Sequence, residues 1–142
     1  MDPEEKTTTT DTTAAPTAVR KKKAKRAVPT GQVHILATFN NTIITFTDPS
    51  GAVLAASSAG ACGFRGSKKG TAYAAQVASE KACQLAKQNF GLSKVDAFVK
   101  GVGLGRDAAI RSLGNGDIRV ESISDVTGVP HGGVRPRKAR RV

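Results

Sequence analysis

A chain of 142 residues with a formal charge of +11, from 22 Lys+Arg against 11 Asp+Glu, has room for one domain with basic extensions. No apolar run approaches the ~18 residues that a membrane span needs, and the acidic start Met1-Asp2-Pro3-Glu4-Glu5 lacks the apolar core of a signal peptide. Cys62 and Cys83 stand alone without a CxxC pair, so reduced thiols in a cytosolic protein are expected, without a disulfide framework or a metal site.

The charge is uneven. Residues 1–30 hold seven basic and four acidic groups, residues 31–130 ten and seven, and residues 131–142 five and none. A nearly balanced body with basic ends fits a protein that grips a polyanion with its extensions. Trp is absent and aromatics are 4% of the chain, so RNA recognition is expected to lean on phosphates and shape.

Residues 1–19 are rich in Thr, Ala and Pro and cannot bury enough apolar surface to offset their ordering entropy, so disorder is predicted. Arg20, Lys21, Lys22, Lys23, Lys25 and Arg26 put six cations into seven residues. Mutual repulsion keeps such a run extended until a polyanion neutralises it. Residues 1–30 therefore read as a disordered N-terminal extension with a basic arm at 20–26.

Residues 31–127 read as a single α/β domain. From Gly31 to Phe39, Val33, Ile35 and Ala37 fall on one face and His34, Leu36 and Thr38 on the other. Both sets are partly apolar, which predicts a central strand covered on both sides. Asn40-Asn41 predicts a two-residue hairpin turn, since Asn tolerates the left-handed region. Thr42–Thr47 is β-branched and aromatic, a second strand. Asp48-Pro49-Ser50-Gly51 is a turn, and Ala52–Ala59 a weaker third strand.

Between Gly60 and Thr71, Gly60, Gly63, Gly66 and Gly70 alternate with Arg65, Ser67, Lys68 and Lys69. Glycine lets a backbone come close to its target and the cations supply attraction, so this loop is predicted to contact phosphates. Thr71 is the expected N-cap of a helix whose stripe is Ala74, Val77, Ala78, Ala82, Leu85, Ala86 and Phe90, with Gly91 beyond its end. Val95–Val99 is a strand parallel to the first, because a helical crossover intervenes. Lys100-Gly101-Val102-Gly103-Leu104-Gly105 then leads into a helix opening at Arg106-Asp107. Gly101, Gly103 and Gly105 carry no Cβ, and the helix N-terminus favours an anion. Arg106 and Arg111 are the best core candidates for phosphate contact, since guanidinium forks match phosphate oxygens. Arg111 could instead pair with Asp107 across one helical turn. Gly114-Asn115-Gly116 stops this helix. In the last strand, Ile118 to Val126, the alternation slips between Val120 and Ile123, which predicts a bulge. Residues 128–142 read as an extended basic tail, with Pro130 and Pro136 opposing regular structure and His131, Arg135, Arg137, Lys138, Arg140 and Arg141 available to RNA. His34, on a strand, reads as a packed or hydrogen-bonded core residue.

Several segments together carry a resemblance. They are Val33-His34-Ile35-Leu36-Ala37-Thr38-Phe39-Asn40-Asn41-Thr42; Ser58-Ala59-Gly60 with Gly63-Phe64-Arg65-Gly66-Ser67-Lys68-Lys69; Tyr73-Ala74-Ala75-Gln76; Lys100-Gly101, Gly103 and Gly105-Arg106 with Ala109-Ile110-Arg111; and Asp125-Val126-Thr127 with Pro130-His131 and the Arg-rich end. From about Lys21 to Val142 the chain resembles the universal small-subunit ribosomal protein eleven family in its bacterial form. The resemblance implies a three-layer, five-stranded mixed sheet in the order 3-2-1-4-5, ribonuclease H-like, with helices on both faces and only the second strand antiparallel to the rest. It also implies a non-catalytic constituent of the small ribosomal subunit in the cytoplasm that supports translation and takes no cofactor, metal or small-molecule substrate. Such proteins bind small-subunit rRNA in the platform, near the messenger RNA exit and the E site, beside small-subunit proteins six, seven, eighteen and twenty-one. On this resemblance Asn40 and Asn41 join the rRNA-binding set.

Five departures stand out. Gly132-Gly133 replaces an Asn-Gly pair, so isoaspartate has no acceptor there. A family Trp before the Ser-Ala-Gly is missing, with Ala56 or a neighbour in its place. Val102 and Leu104 replace prolines in the glycine loop, which makes it less rigid. Ala72 replaces a proline at the start of the long helix, and Arg137 and Ala139 alter the tail.

Three other functions are disfavoured. A nuclease places carboxylates around divalent metal on adjacent strand ends, but the first strand has no Asp or Glu, and Asp48, Asp96 and Asp125 do not cluster in sequence. A dinucleotide fingerprint needs a third glycine three residues after the second, where Arg106 stands. A general DNA-coating protein would bind duplex DNA in competition with rRNA.

Overall fold

The computed structural model describes residues 26–142. Its sheet has the order β3-β2-β1-β4-β5. Strand β1 is Thr30–Ala37, β2 Thr42–Thr47, β3 Val53–Ser58, β4 Lys94–Lys100 and β5 Arg119–Asp125; helix α1 is Ala72–Phe90 and α2 Gly105–Asn115. β2 runs antiparallel to β1 and β3, while β4 is parallel to β1 and β5. This is the mixed sheet and strand order that the resemblance implied. The predicted bulge is present: Val95 pairs with Val120 and Asp96 with Ser122, leaving Glu121 as the extra residue.

The layering differs from expectation. Both helices lie on one face of the sheet, not on both. Val33, Ile35, Ile44, Phe46, Ala97 and Val99 are buried on that face. The opposite face leaves Leu36 and Ile43 each 39% exposed, with His34 stacked on Phe98 at a ring separation of 5.3 Å. The reason is topological. The connections β3–α1–β4 and β4–α2–β5 both progress in the same direction across the sheet, and crossovers of one hand then put both helices on the same side. Partial apolarity of both faces of β1 did not register this. His34 is accordingly an exposed ring on the open face and not a core residue.

The buried set is dominated by large side chains from the sheet and the helix ends: Phe46, Ile35, Ile44, Leu92, Leu113 and Ile118 are all below 2% exposure. Burying each contributes about 1.5–3 kcal/mol. Thr71 caps α1, its hydroxyl accepting from the Ala74 N–H at 3.3 Å, and Gly91 closes it in the left-handed region at φ 65°. The buried stripe of α1 is Ala74, Ala75, Ala78, Ser79, Ala82, Cys83 and Ala86, rotated from the expected one, with Leu85 at the surface. Small residues win that face because α2 packs directly on it. Ser79 donates to the Ala109 carbonyl of α2 at 3.0 Å, and Gly116 sits against Cys83. Burial pushes the Cys83 thiol up to about 11.

Candidate nucleic-acid interface

The C-terminal ends of β1, β3, β4 and β5 share one edge with the start of β2 and the starts of both helices. Three loops meet there. The first joins β1 to β2. It spans Thr38–Asn41 and not a two-residue turn, because the Thr38 hydroxyl closes it, donating to the Asn41 carbonyl at 3.0 Å and accepting from the Asn41 N–H at 3.1 Å. Asn40 and Asn41 need no left-handed backbone: among the described residues the only non-glycine with positive φ is Asp117. The Asn41 side chain instead accepts from the Thr42 N–H at 2.9 Å.

The other two loops clamp this hairpin from either side. A Cβ on Gly70 would press on the Phe39 carbonyl, with its carbon at 3.1 Å. On the far side, a Cβ on Gly103 would lie 2.7 Å from the Thr38 carbonyl carbon and 2.9 Å from that of Ala37. The Gly103 N–H donates to Ala37 at 3.0 Å. Gly101, at φ +100°, faces the Ala37 carbonyl, and Gly105 faces Thr42 and Ala75. The close approach that these glycines permit is thus made to the protein's own backbone. Gly103 and Gly105 are buried, so their role as phosphate cradles gives way to a packing role.

Arg106 is also turned inward. Its guanidinium donates to the Gly101 carbonyl, to the Thr127 hydroxyl at 3.3 Å and to the Asp125 carboxylate at 2.5 Å. Thr127 completes the knot: its hydroxyl donates to Asp125 at 2.6 Å and accepts from the Gly101 N–H at 3.1 Å. Donation from Thr127, and then from Arg106, holds the Asp125 carboxyl well below the usual carboxylate range. The expected core phosphate ligand is therefore a staple that fixes the glycine loop to the root of the C-terminal tail. Sequence reasoning missed Asp125 and Thr127 as its partners, although an Asp followed two residues later by Thr is a spacing at which a side chain caps its own turn.

The cations left facing outward are different ones. Lys68 and Lys100 are exposed and Lys69 half-buried, and none forms an ion pair among the described residues. Ser67 is exposed beside them. Arg65 is exposed too, but its guanidinium donates back to the Gly60 carbonyl at 2.9 Å. From Thr127 the tail leaves this same edge, and His131, Arg135, Arg137, Lys138, Arg140 and Arg141 are all exposed along it. Two candidates lie elsewhere. Arg111 is exposed further along α2, roughly 9 Å from its start by helical rise, and does not pair with Asp107. Arg26 emerges at the opposite end of β1, about 25 Å away by strand rise, where its guanidinium is 3.9 Å from Asp48. Arg20, Lys21, Lys22, Lys23 and Lys25, with the predicted disorder of that arm, lie outside the described residues.

A model of the family described as ribosomal protein S11 matches residues 31–141, the whole sheet, both helices and nearly all of the tail. The chain belongs to the ribosomal protein S11 family. It is 55% identical over 125 residues to the small ribosomal subunit protein uS11 of Coprothermobacter proteolyticus, covering 88% of this chain and 99% of that one. It is 54% identical over 121 residues to uS11c of Cyanidioschyzon merolae, covering 85% and 99%. The matched residues include those of the cationic edge and nearly all of the tail.

Proposed function

We propose that this chain is a structural constituent of the small ribosomal subunit that binds small-subunit rRNA, supports translation and performs no chemistry. Membership of the S11 family, over nearly the full length of its relatives, carries the reading. The geometry supports it: Lys68, Lys69 and Lys100 face outward without carboxylate partners at the edge from which the basic tail departs. No Asp or Glu occurs in residues 37–42, 57–75 or 97–106, the three loops of that edge. Its carboxylates are Asp125, tied to Arg106 and Thr127, and the exposed Asp107 on the first turn of α2. Arg26 lies at the opposite end of the sheet, beside Asp48, and gives the body a second place to grip rRNA.

In the same reading the chain sits in the platform of the cytoplasmic small subunit, near the messenger RNA exit and the E site. Its protein neighbours there are small-subunit proteins six, seven, eighteen and twenty-one. A filter-binding titration of the full chain against small-subunit rRNA tests the electrostatic mechanism. With about six to ten phosphates neutralised, affinity falls on the order of 10³–10⁵-fold between 50 and 200 mM salt. A flat salt dependence contradicts it.

A further inference from the structure

We propose that the edge carrying the cations also stacks unpaired nucleobases, through Phe39 and Tyr73, so that it takes a single-stranded rRNA segment and not a duplex. The inference rests on the rRNA-binding reading and deepens it. The chain has only six aromatic residues, five Phe and one Tyr. Phe46 is fully buried, and Phe64, Phe90 and Phe98 are partly covered. The two rings left open are Phe39, 75% exposed, and Tyr73, 66% exposed. Both lie at this edge, on the hairpin and on the first turn of α1.

Leaving the scarce aromatic surface of a protein in water costs apolar burial, and both rings stand on rigid supports. Phe39 sits in the hairpin loop closed by Thr38, with Gly70 packed beneath its carbonyl. Tyr73 is braced edge-on by Phe64 at a ring separation of 5.8 Å and an interplanar angle of 84°. Gly70 is three residues before Tyr73, so the contact of Gly70 with Phe39 holds the two ring-bearing segments together. Lys68 and Lys69 lie in the connecting turn. Aromatic faces beside cations, with no carboxylate in either segment, are the combination by which proteins hold single-stranded nucleic acid: bases stack while the backbone is neutralised. A duplex keeps its base faces covered and offers such rings nothing.

The chain supplies its own reporter. Tyr73 is the only Tyr and there is no Trp, so intrinsic fluorescence reads Tyr73 alone. Titrating the full chain with single-stranded oligouridylate and with purified small-subunit rRNA, after correction for absorbance, is expected to quench this emission. Duplex RNA at equal phosphate concentration is expected to leave it unchanged. In filter binding, Phe39→Ala and Tyr73→Ala each weaken rRNA binding about 5- to 150-fold at fixed salt. The slope of log K against log salt stays as in the wild type, and Phe39→Trp restores affinity. Lys68→Ala with Lys69→Ala lowers that slope instead. Wild-type affinity in the Phe39→Ala, Tyr73→Ala double variant, or equal quenching by duplex, overturns the stacking proposal while leaving rRNA binding intact. Failure of the wild-type chain to bind rRNA at all overturns both.

Discussion

Substituting Gly103 by Ala separates a glycine that admits a ligand from one that admits the protein's own chain. The added methyl would meet the carbonyl carbons of Thr38 and Ala37 at 2.7 and 2.9 Å, both of them backbone in a closed hairpin. Overpacking costs about 1–3 kcal/mol where side chains can give way, and backbone neighbours place this site at the upper end. The alanine also restricts the unfolded chain, which returns about 0.4–1 kcal/mol. The net expectation is a loss of about 2 kcal/mol, or a fall of about 1–2 M in the urea midpoint. Two controls fix the scale. Gly114 has open space around it at the end of α2, and Gly114→Ala gains up to ~1 kcal/mol. Gly63 also has open space but sits at φ +93°, so Gly63→Ala loses about 1–2 kcal/mol from backbone conformation alone. A Gly103→Ala protein with the wild-type midpoint and rRNA binding weakened more than about tenfold would refute the packing argument and return the gap to a ligand.

Other outcomes follow from the same contacts. Because the folded-state pKa of Asp125 is depressed, its contribution is fully present above the ordinary Asp value of ~3.9 and is lost as pH falls below that value, through the lower one of the folded state. Limited proteolysis after residue 127 should therefore stay constant from pH 7 to 5, and Asp125→Asn should raise it at neutral pH. Arg106→Ala should raise tail cleavage in the same way while changing the salt slope of rRNA binding less than Lys100→Ala does. Phe46→Ala, at a site with no solvent exposure, should cost about 3–5 kcal/mol in denaturant unfolding. With its thiol raised to about 11 by burial, Cys83 should resist iodoacetamide in the native protein at pH 8 and react once urea unfolds it.

Much of the architecture could be read in the residues. Alternation in β1, the β-branched and aromatic run of β2, the Thr71 cap, the Gly91 stop and the slip between Val120 and Ile123 are local signals, and local chemistry decides them. The errors arose where the deciding partner is distant in sequence. Which face of β1 is covered depends on the direction of two crossovers, so His34 and Leu36 looked as buried as Val33. The face of α1 that packs inward depends on α2, which favours Ser79 and Cys83 over Leu85. Glycine spacing at 101, 103 and 105 records a close approach without saying to what; the hairpin carbonyls of Ala37 and Thr38 supply the answer. Arg106 looked like a phosphate ligand because Asp125 and Thr127 lie about twenty residues away along the chain. Phe39 and Tyr73 were masked by composition: few aromatics suggested little stacking, whereas exposure of those few is what matters.

The central claim is that a body with little net charge presents cations at one edge, in its tail and in its N-terminal arm to folded rRNA, and stays there as structure. Sucrose-gradient sedimentation of lysate from cells making this chain tests it most directly. The chain should travel with the small ribosomal subunit at moderate salt, and be released only as salt rises far enough to displace several phosphate contacts at once. A chain that remains at the top of the gradient while intact small subunits sediment without it would contradict the account.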